Sequence, residues 1–225
     1  MNRRATRVSA VQKQLAWWIT RTTWMLFDSL HGVDTGVVGA DWEVKISDEN
    51  RDKYLEYAPT PWKALPRVLR LASLPVRGFS FVDIGCGKGK QLLSALRYPF
   101  ARVVGVEFSS YLCQIAERNL ASVRLVRRRG ENVQVHCVDA VEYSIPDGPL
   151  IFFFANPFTY EVMERVLDNI VTAYLASRRP MYLIFYGASS WIAQITNFLR
   201  LRGGGHQRAS GMIGKRTLYV FELPI

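Results

Sequence analysis

Residues 81–89 read FVDIGCGKG. A strand-like run ends in a turn that carries glycine at every second position, Gly85, Gly87 and Gly89. Glycine lets the backbone take a positive φ and approach a ligand closely, and a helix that starts at such a turn offers unpaired N–H groups. The stretch therefore predicts a strand, a ligand-binding turn and a helix in succession.

Short β-rich runs alternate with helical patterns from residue 79 onward. This alternation predicts an α/β fold with a mostly parallel sheet covered by helices on both faces. We expect a final hairpin around Gly214 and Lys215 to complete the sheet with an antiparallel strand. The predicted strands are 79–84, 102–107, 133–138, 150–155, 181–186, 206–212 and 217–222, and the predicted helices are 63–73, 89–97, 110–123, 160–177 and 190–201.

Composition excludes several classes of protein. Of the 225 residues 49% are hydrophobic and 12% aromatic, which is typical of a folded domain. No apolar run approaches the roughly 18 residues that a membrane-spanning helix needs. Cys86, Cys113 and Cys137 are odd in number and form no CxxC pair, and the three histidines are isolated. We therefore expect a cytoplasmic protein without a disulfide framework or a metal site.

The chain is basic, with 29 Lys and Arg against 19 Asp and Glu and a net charge of +10. Such a charge favours an anionic partner, whether nucleic acid, lipid or small ligand. The excess is spread over the chain, so it supports a nucleic-acid surface only weakly. The basic run that ends at Arg129 follows a predicted helix, and we interpret it as a solvated face, with contact to nucleic acid or membrane as the alternative.

Residues 1–27 contain no acid, five basic residues and three tryptophans. Apolar residues recur at steps of three, four and seven, which predicts an amphipathic helix. One interpretation is that the helix packs its aromatic face on the main domain. The alternatives are a peripheral membrane contact through residues 8–30 and an organelle targeting segment.

Three acids, Asp83, Glu107 and Asp139, end three successive predicted strands. The carboxyl ends of parallel strands meet at one edge, where ligands bind in open α/β folds. A carboxylate accepts two hydrogen bonds from a vicinal diol, such as that of a ribose. A dinucleotide fingerprint would require glycine where Lys90 or Leu92 stands, so the sequence disfavours an oxidoreductase.

The D-x-G-x-G-x-G stretch resembles motif I of the class I S-adenosylmethionine (SAM)-dependent methyltransferases. The resemblance implies SAM as cofactor, with the turn against its methionine part, Glu107 on the ribose and Asp139 near the adenine. It also implies a doubly wound, Rossmann-like sheet of seven strands in the order 3-2-1-4-5-7-6, with the last strand antiparallel. The implied cofactor-binding residues are Asp83, Gly85, Cys86, Gly87, Gly89, Glu107, Phe108, Asp139, Ala140 and Asn156.

The fourth predicted strand runs into Asn156, Pro157 and Phe158. This triplet resembles the (Asp/Asn)-Pro-Pro-(Tyr/Phe) motif of methyltransferases that act on amino nitrogens, with one proline fewer. The resemblance implies that Asn156 and Phe158 are catalytic and that the acceptor atom is nitrogen, on a protein side chain or a small amine, or otherwise oxygen. The triplet is alternatively the turn before a helix capped by Thr159. A SAM-binding regulatory module without turnover, associated with RNA or a membrane, is the alternative function.

Two upstream segments, FD-x-x-HGVDT at 27–35 and Y-x-PTP-W at 57–62, are similar to segments of uncharacterised bacterial methyltransferase-like proteins. Loops before the first strand often cover the cofactor in this family. We therefore predict Tyr57, Thr60 and Trp62 as covering residues, with plain packing as the alternative. The expected division is an N-terminal helical extension with cofactor-covering loops at 1–75 and a SAM-binding domain at 76–225.

Overall fold

A computed structural model describes residues 25–36, 60–124, 132–188 and 190–224. Most of the predicted N-terminal helix and Tyr57 lie outside these ranges, while residues 25–31 are helical. Within the described ranges, no helix combines the length and the apolar character needed to cross a membrane.

Seven strands form a single sheet in the order β3-β2-β1-β4-β5-β7-β6. Neighbouring strands are parallel except that β7 runs antiparallel to both β5 and β6. The predicted sheet, its strand order and its antiparallel last strand are therefore confirmed. The strands are β1 (Ser80–Ile84), β2 (Arg102–Glu107), β3 (Val133–Cys137), β4 (Leu150–Phe154), β5 (Met181–Tyr186), β6 (His206–Ile213) and β7 (Arg216–Leu223).

Five further helices surround the sheet in the described part of the chain, and they agree with the predicted ones to within about two residues at most ends. The largest difference is in the last helix, which was predicted at 190–201 and lies two residues further along. Gly203 still belongs to that helix, and Gly204 takes the left-handed C-cap conformation at a φ of 67°. The helices are α1 (Ala64–Leu71), α2 (Lys90–Ala95), α3 (Ser110–Ser122), α4 (Tyr160–Ser177) and α5 (Ile192–Gly203).

The core has two parts, one on each face of the sheet. Every residue of β1, β4 and β5 is buried, which explains why β4 and β5 read as continuous runs of apolar and aromatic residues. Phe152 and Phe154 point to the cluster shared with α4 and α5, whereas Phe153 belongs to the cluster shared with α1 and α2. With helices on both faces, the carboxyl edge of the parallel strands is left for the loops that form the site.

Candidate active site

The turn between β1 and α2, residues 85–89, is called the glycine turn below. Its three glycines have a positive φ, 74° at Gly85, 52° at Gly87 and 78° at Gly89. The N–H groups of Gly85 and Cys86 donate to the carbonyl of Val106 over 2.8 and 3.0 Å, which ties the turn to the end of β2. Other residues are strained in this region of φ, so glycine is required for the turn to form.

Glu107 ends β2 directly beside the glycine turn and is only 6% exposed. Its carboxylate accepts hydrogen bonds from the N–H groups of Gly87 at 2.9 Å and Ser109 at 3.0 Å. Burial raises the pKa of this carboxyl, while these N–H groups act in the opposite direction. A carboxylate has about four lone-pair sites, so Glu107 keeps the capacity to accept hydrogen bonds from a diol. Its position and chemistry suit the predicted ribose contact.

Asp83 lies in β1 between Gly105 of β2 and Phe153 of β4 and is 3% exposed. Burial and, secondarily, the charge of Glu107 raise the pKa of Asp83 from 3.8 to about 8. The ligand-free protein therefore holds a proton on Asp83 near neutral pH. A cationic group that binds at this edge favours the ionised carboxyl and so promotes loss of that proton.

Asp139 follows β3 and organises the turn there. Its Oδ1 accepts a hydrogen bond from the N–H of Val141, and its carbonyl accepts one from Glu142, both at 2.9 Å. Ala140 is buried, and Phe108 packs against the same core cluster from the end of β2. These three residues lie where the second and third strands end, the place at which an adenine contact is predicted.

The loop after β4 lies against the glycine turn. A Cβ placed on Gly85 would overlap the Cβ of Pro157, so the two loops touch where Gly85 has no side chain. Asn156 has a φ of 57°, in the left-handed region that is uncommon for residues other than glycine. Phe158 is 2% exposed and belongs to the core cluster, and Thr159 is the N-cap of α4.

The tip of the β6–β7 hairpin reaches the same edge. The N–H of Gly187, the residue after β5, donates to the carbonyl of Thr217 over 2.9 Å. A Cβ built on Gly187 would lie 3.5 Å from Nη1 of Arg216 and 3.9 Å from Cβ of Asn156. The carboxyl edge thus has one half at the ends of β1 to β3, where the cofactor is predicted to bind, and a second half around Asn156.

Residues 81–175 match the family model that describes a methyltransferase domain. This match contains the glycine turn and the ends of β1 to β4. The chain carries a methyltransferase domain at these residues. No curated protein matches the sequence.

Solved structures with this fold include three methyltransferases. A human methyltransferase 10 domain containing protein has a TM-score of 0.57 at 14% identity, and the alignment covers 92% of this chain and 97% of the human chain. The precorrin-6y C5,15-methyltransferase of Geobacter metallireducens has a TM-score of 0.57 at 16% identity, with 79% and 96% covered. The ribosomal protein L11 methylase of Lactobacillus delbrueckii has a TM-score of 0.51 at 13% identity, with 70% and 77% covered. At these identities the likeness concerns the fold alone.

The methyltransferase uses SAM, and the residues at the edge fit this cofactor. Gly85, Gly87 and Gly89 keep side chains away from the turn, and Glu107 offers a buried carboxylate at the end of the neighbouring strand. When bound, SAM supplies a methyl group that its sulfonium centre has already activated. The protein therefore has to bind the cofactor, align the acceptor and exclude water.

Cys86 of the methyltransferase is not suited to act as a nucleophile. Cys86 is buried against β2, since a Cβ on Gly105 would meet its Sγ at 2.7 Å. Burial, followed by the charges of Glu107 and Asp83, raises its pKa. The described ranges hold no group of three or more His, Cys, Asp or Glu side chains arranged to bind a metal ion.

The upstream segments lie on the helices next to the glycine turn. Thr60 is 8% exposed, and the side chain of Gln91 in α2 donates to the carbonyl of Pro61 over 3.0 Å. Ser94 donates to the carbonyl of Trp62 over 3.3 Å. Thr60 and Trp62 thus pack on α2, the alternative that the sequence left open, and their predicted role over the cofactor stays a prediction.

Sequence reasoning missed a polar cluster between the glycine turn, α3 and the upstream segment. Asn119 of α3 and Lys88 of the glycine turn both bind Asp34, which belongs to the upstream HGVDT motif. The HGVDT motif could have pointed to this cluster. Its polar residues follow neither a helical nor a strand period, so packing against the core would not explain them.

Proposed function

We propose that the methyltransferase transfers the methyl group of SAM to a nitrogen atom, on a protein side chain or a small amine, with an oxygen acceptor as the second candidate. The observation that carries the proposal is the backbone of Asn156. A left-handed φ at a residue other than glycine costs of order 1–3 kcal/mol and is concentrated at functional sites. At Asn156 it occurs directly after β4, in the loop that touches the glycine turn.

An amine attacks through its neutral lone pair, so its N–H groups need acceptors that orient the nitrogen. The amide oxygen of Asn156 and the carbonyls of this loop are suitable acceptors. The predicted stacking of Phe158 on the acceptor stays a prediction, because this ring is almost completely buried in the core. Whether or not it contacts the acceptor, Phe158 is anchored in the core next to Asn156 and Pro157.

Two variants separate the amide of Asn156 from its backbone. Asn156→Gly keeps the left-handed conformation at no steric cost and removes the amide, whereas Asn156→Ala removes the amide and strains the backbone as well. We expect Asn156→Gly to bind S-adenosylhomocysteine within about twofold of wild type and to lose methyl transfer by about 10² or more. The assay follows label from SAM into a panel of lysine peptides, small amines and hydroxyl compounds.

The outcome also distinguishes the alternative function. Transfer to hydroxyl compounds alone would make oxygen the acceptor atom. Cofactor binding without any product from wild-type protein would favour a regulatory SAM-binding module. Unchanged transfer by Asn156→Gly would contradict the role of the amide and leave the triplet as the turn before α4.

A further inference from the structure

The glycine turn needs a support that its own sequence does not supply. Glycine residues at three alternate positions leave the unfolded turn many conformations, and the binding of a ligand must then offset the cost of ordering them. A turn that is already held in its bound conformation binds more tightly, because less ordering remains. Besides the hydrogen bonds to Val106 and Glu107, contacts around Lys88 hold the turn.

Asn119 is the central contact. It is 3% exposed, and its Nδ2 donates to the carbonyl of Lys88 over 2.9 Å and to the carbonyl of Asp34 over 2.7 Å. Its Oδ1 accepts the N–H of Asp34 over 2.7 Å. One buried amide thus joins α3, the glycine turn and the upstream segment, and these three hydrogen bonds use both N–H groups and the oxygen of its side chain.

An ion pair reinforces the same junction. Nζ of Lys88 lies 2.6 Å from Oδ1 of Asp34, and the side chain of Lys88 is 3% exposed while that of Asp34 is 63% exposed. The lysine is therefore directed to the upstream segment. Because Lys88 is bound through both its carbonyl and its side chain, the residue between Gly87 and Gly89 is fixed on two sides.

The upstream segment is itself well held. The N–H and hydroxyl of Thr35 donate to the carboxylate of Asp28 over 2.8 and 2.6 Å, and Thr35 is fully buried. The hydroxyl of Ser122 donates to the carbonyl of Gly32 over 3.0 Å. The N–H of Arg124 donates to the carbonyl of His31 over 2.8 Å. Residues 28–35, called the upstream strap below, are thus tied along the end of α3.

We propose that the upstream strap fixes the glycine turn in its SAM-binding conformation, with Asn119 as the positioning residue. The strap lies outside residues 81–175, so it extends the cofactor site beyond the methyltransferase domain that the family model describes. The turn is predicted to contact the methionine part of SAM, and the strap therefore controls affinity for that part. This inference concerns cofactor binding and does not depend on the acceptor.

The test compares two ligands in the full chain. S-adenosylhomocysteine has the amino-acid part that reaches the turn, and methylthioadenosine lacks it. Asn119→Asp keeps the size of the side chain but places an acceptor against the carbonyls of Lys88 and Asp34. We expect it to weaken S-adenosylhomocysteine about tenfold or more and methylthioadenosine less than about twofold, because Glu107 remains bound to the N–H of Ser109.

Asn197→Asp is the matched control, since it makes the same substitution at an exposed residue of α5 whose side chain accepts a hydrogen bond from Arg200 of the same helix. We expect it to leave both affinities unchanged. Parallel weakening of the two ligands by Asn119→Asp would indicate general loosening of the fold and would overturn the proposal. Unchanged affinity for S-adenosylhomocysteine would overturn it as well.

Lys88→Met provides a second variant if Asn119→Asp does not fold. It keeps most of the length of the unbranched side chain and removes the ion pair, so we expect the affinity for S-adenosylhomocysteine alone to fall, by about threefold or more. Equal affinity in Lys88→Met and wild type would contradict the proposal. Failure of methyl transfer to every acceptor would contradict the proposed function instead, because these titrations involve no acceptor.

Discussion

Asp83 and Glu107 place two carboxyls at the ends of adjacent strands, and both are almost completely buried. The pKa of Asp83 is raised to about 8 by burial and by Glu107, so the ligand-free site holds a proton near neutral pH. Loss of that proton and binding of a cationic ligand are therefore thermodynamically linked.

We expect the affinity for SAM to increase with pH up to about 8 and then to level off. Bound SAM is cationic and favours the ionised carboxyl, so the pKa of Asp83 is lower in the complex, and the complex holds fewer protons than the free protein. Calorimetric titration between about pH 6 and pH 9 measures the slope. Asp83→Asn, which cannot ionise, should show a much smaller slope, and equal slopes would contradict the linkage.

The stability of the ligand-free protein provides the control. The ionisation of Asp83 should increase the affinity for SAM as the pH rises but should lower the free energy of unfolding over the same range. The folded pKa is raised from 3.8 to about 8, so the unfolded chain holds fewer protons between these values. The free energy of unfolding should therefore fall as the pH rises through this range. In urea unfolding, the Asp83→Asn variant should lack the part of this pH-dependent decrease in the free energy of unfolding that comes from Asp83.

Gly85 allows a second prediction. Gly85→Ala adds strain at a φ of 74° and overlap with Pro157, whereas Gly78→Ala adds strain at a φ of 81° with no atom within 4 Å. We expect Gly78→Ala to lower the free energy of unfolding by about 1–2 kcal/mol. Gly85→Ala should lower it by a further 1–3 kcal/mol, roughly the cost of overpacking, and should also weaken cofactor binding. Denaturant unfolding measures the free energies of unfolding, and cofactor titration measures the affinity. An equal loss of unfolding free energy at the two glycines would mean that Pro157 moves aside at little cost.

Among the elements, strands and helices could be predicted closely because burial on both sheet faces leaves continuous apolar runs, as in β4 and β5. The end of α5 could not, since Gly203, Gly204 and Gly205 are each able to end a helix. Only the packing of Gly203 against Val171 and Leu223 places the end after it.

The candidate site was predictable where it follows strand ends, and unpredictable where it depends on distant polar contacts. Asp83 and Glu107 are found by counting along the strands. The contact between Asn119 and Asp34 joins residues 85 positions apart and leaves no periodic pattern in the sequence. The raised pKa of Asp83 likewise depends on how closely the fold surrounds it.

The aromatic strand β4 supports the loop that carries Asn156, so its packing can be tested directly. Phe153 is fully buried, and its ring centroid lies 6.2 Å from that of Phe81. We expect Phe153→Ala to lower the free energy of unfolding by about 3–5 kcal/mol through lost burial and a cavity. Leu201→Ala, at a side chain 68% exposed, should change it by less than about 0.5 kcal/mol. Chemical denaturation compares them, and a small loss at Phe153 would indicate that the core collapses into the cavity.

In the whole molecule, α1 joins residues on either side of the predicted domain boundary at 75/76. Leu65 and Val68 are fully buried in the same cluster as β1 and α2. Burial of each such side chain contributes about 1.5–3 kcal/mol, while a domain is stable by only about 5–15 kcal/mol in total. The division at 75 stays a prediction, and packing joins the two parts.

Truncation tests this dependence on α1. A chain that begins at residue 76 should lose cooperative unfolding, because the cluster under α1 is exposed. A chain that begins at residue 60 keeps α1 and should unfold cooperatively, with weaker binding of S-adenosylhomocysteine because the upstream strap is absent. Circular dichroism during urea unfolding measures both, and cooperative unfolding of the shorter chain would show that α1 is dispensable.

The contact between Gly85 and Pro157 has a consequence for how the binding of cofactor and acceptor depend on each other. The two loops meet without space for a single added methyl group, so an acceptor that displaces Pro157 also alters the volume available above the cofactor turn. Thermodynamic reciprocity then requires each substrate to change the affinity of the other by the same factor. The affinity for an acceptor measured with bound cofactor should therefore differ from that measured without it, by the same factor as in the reverse comparison.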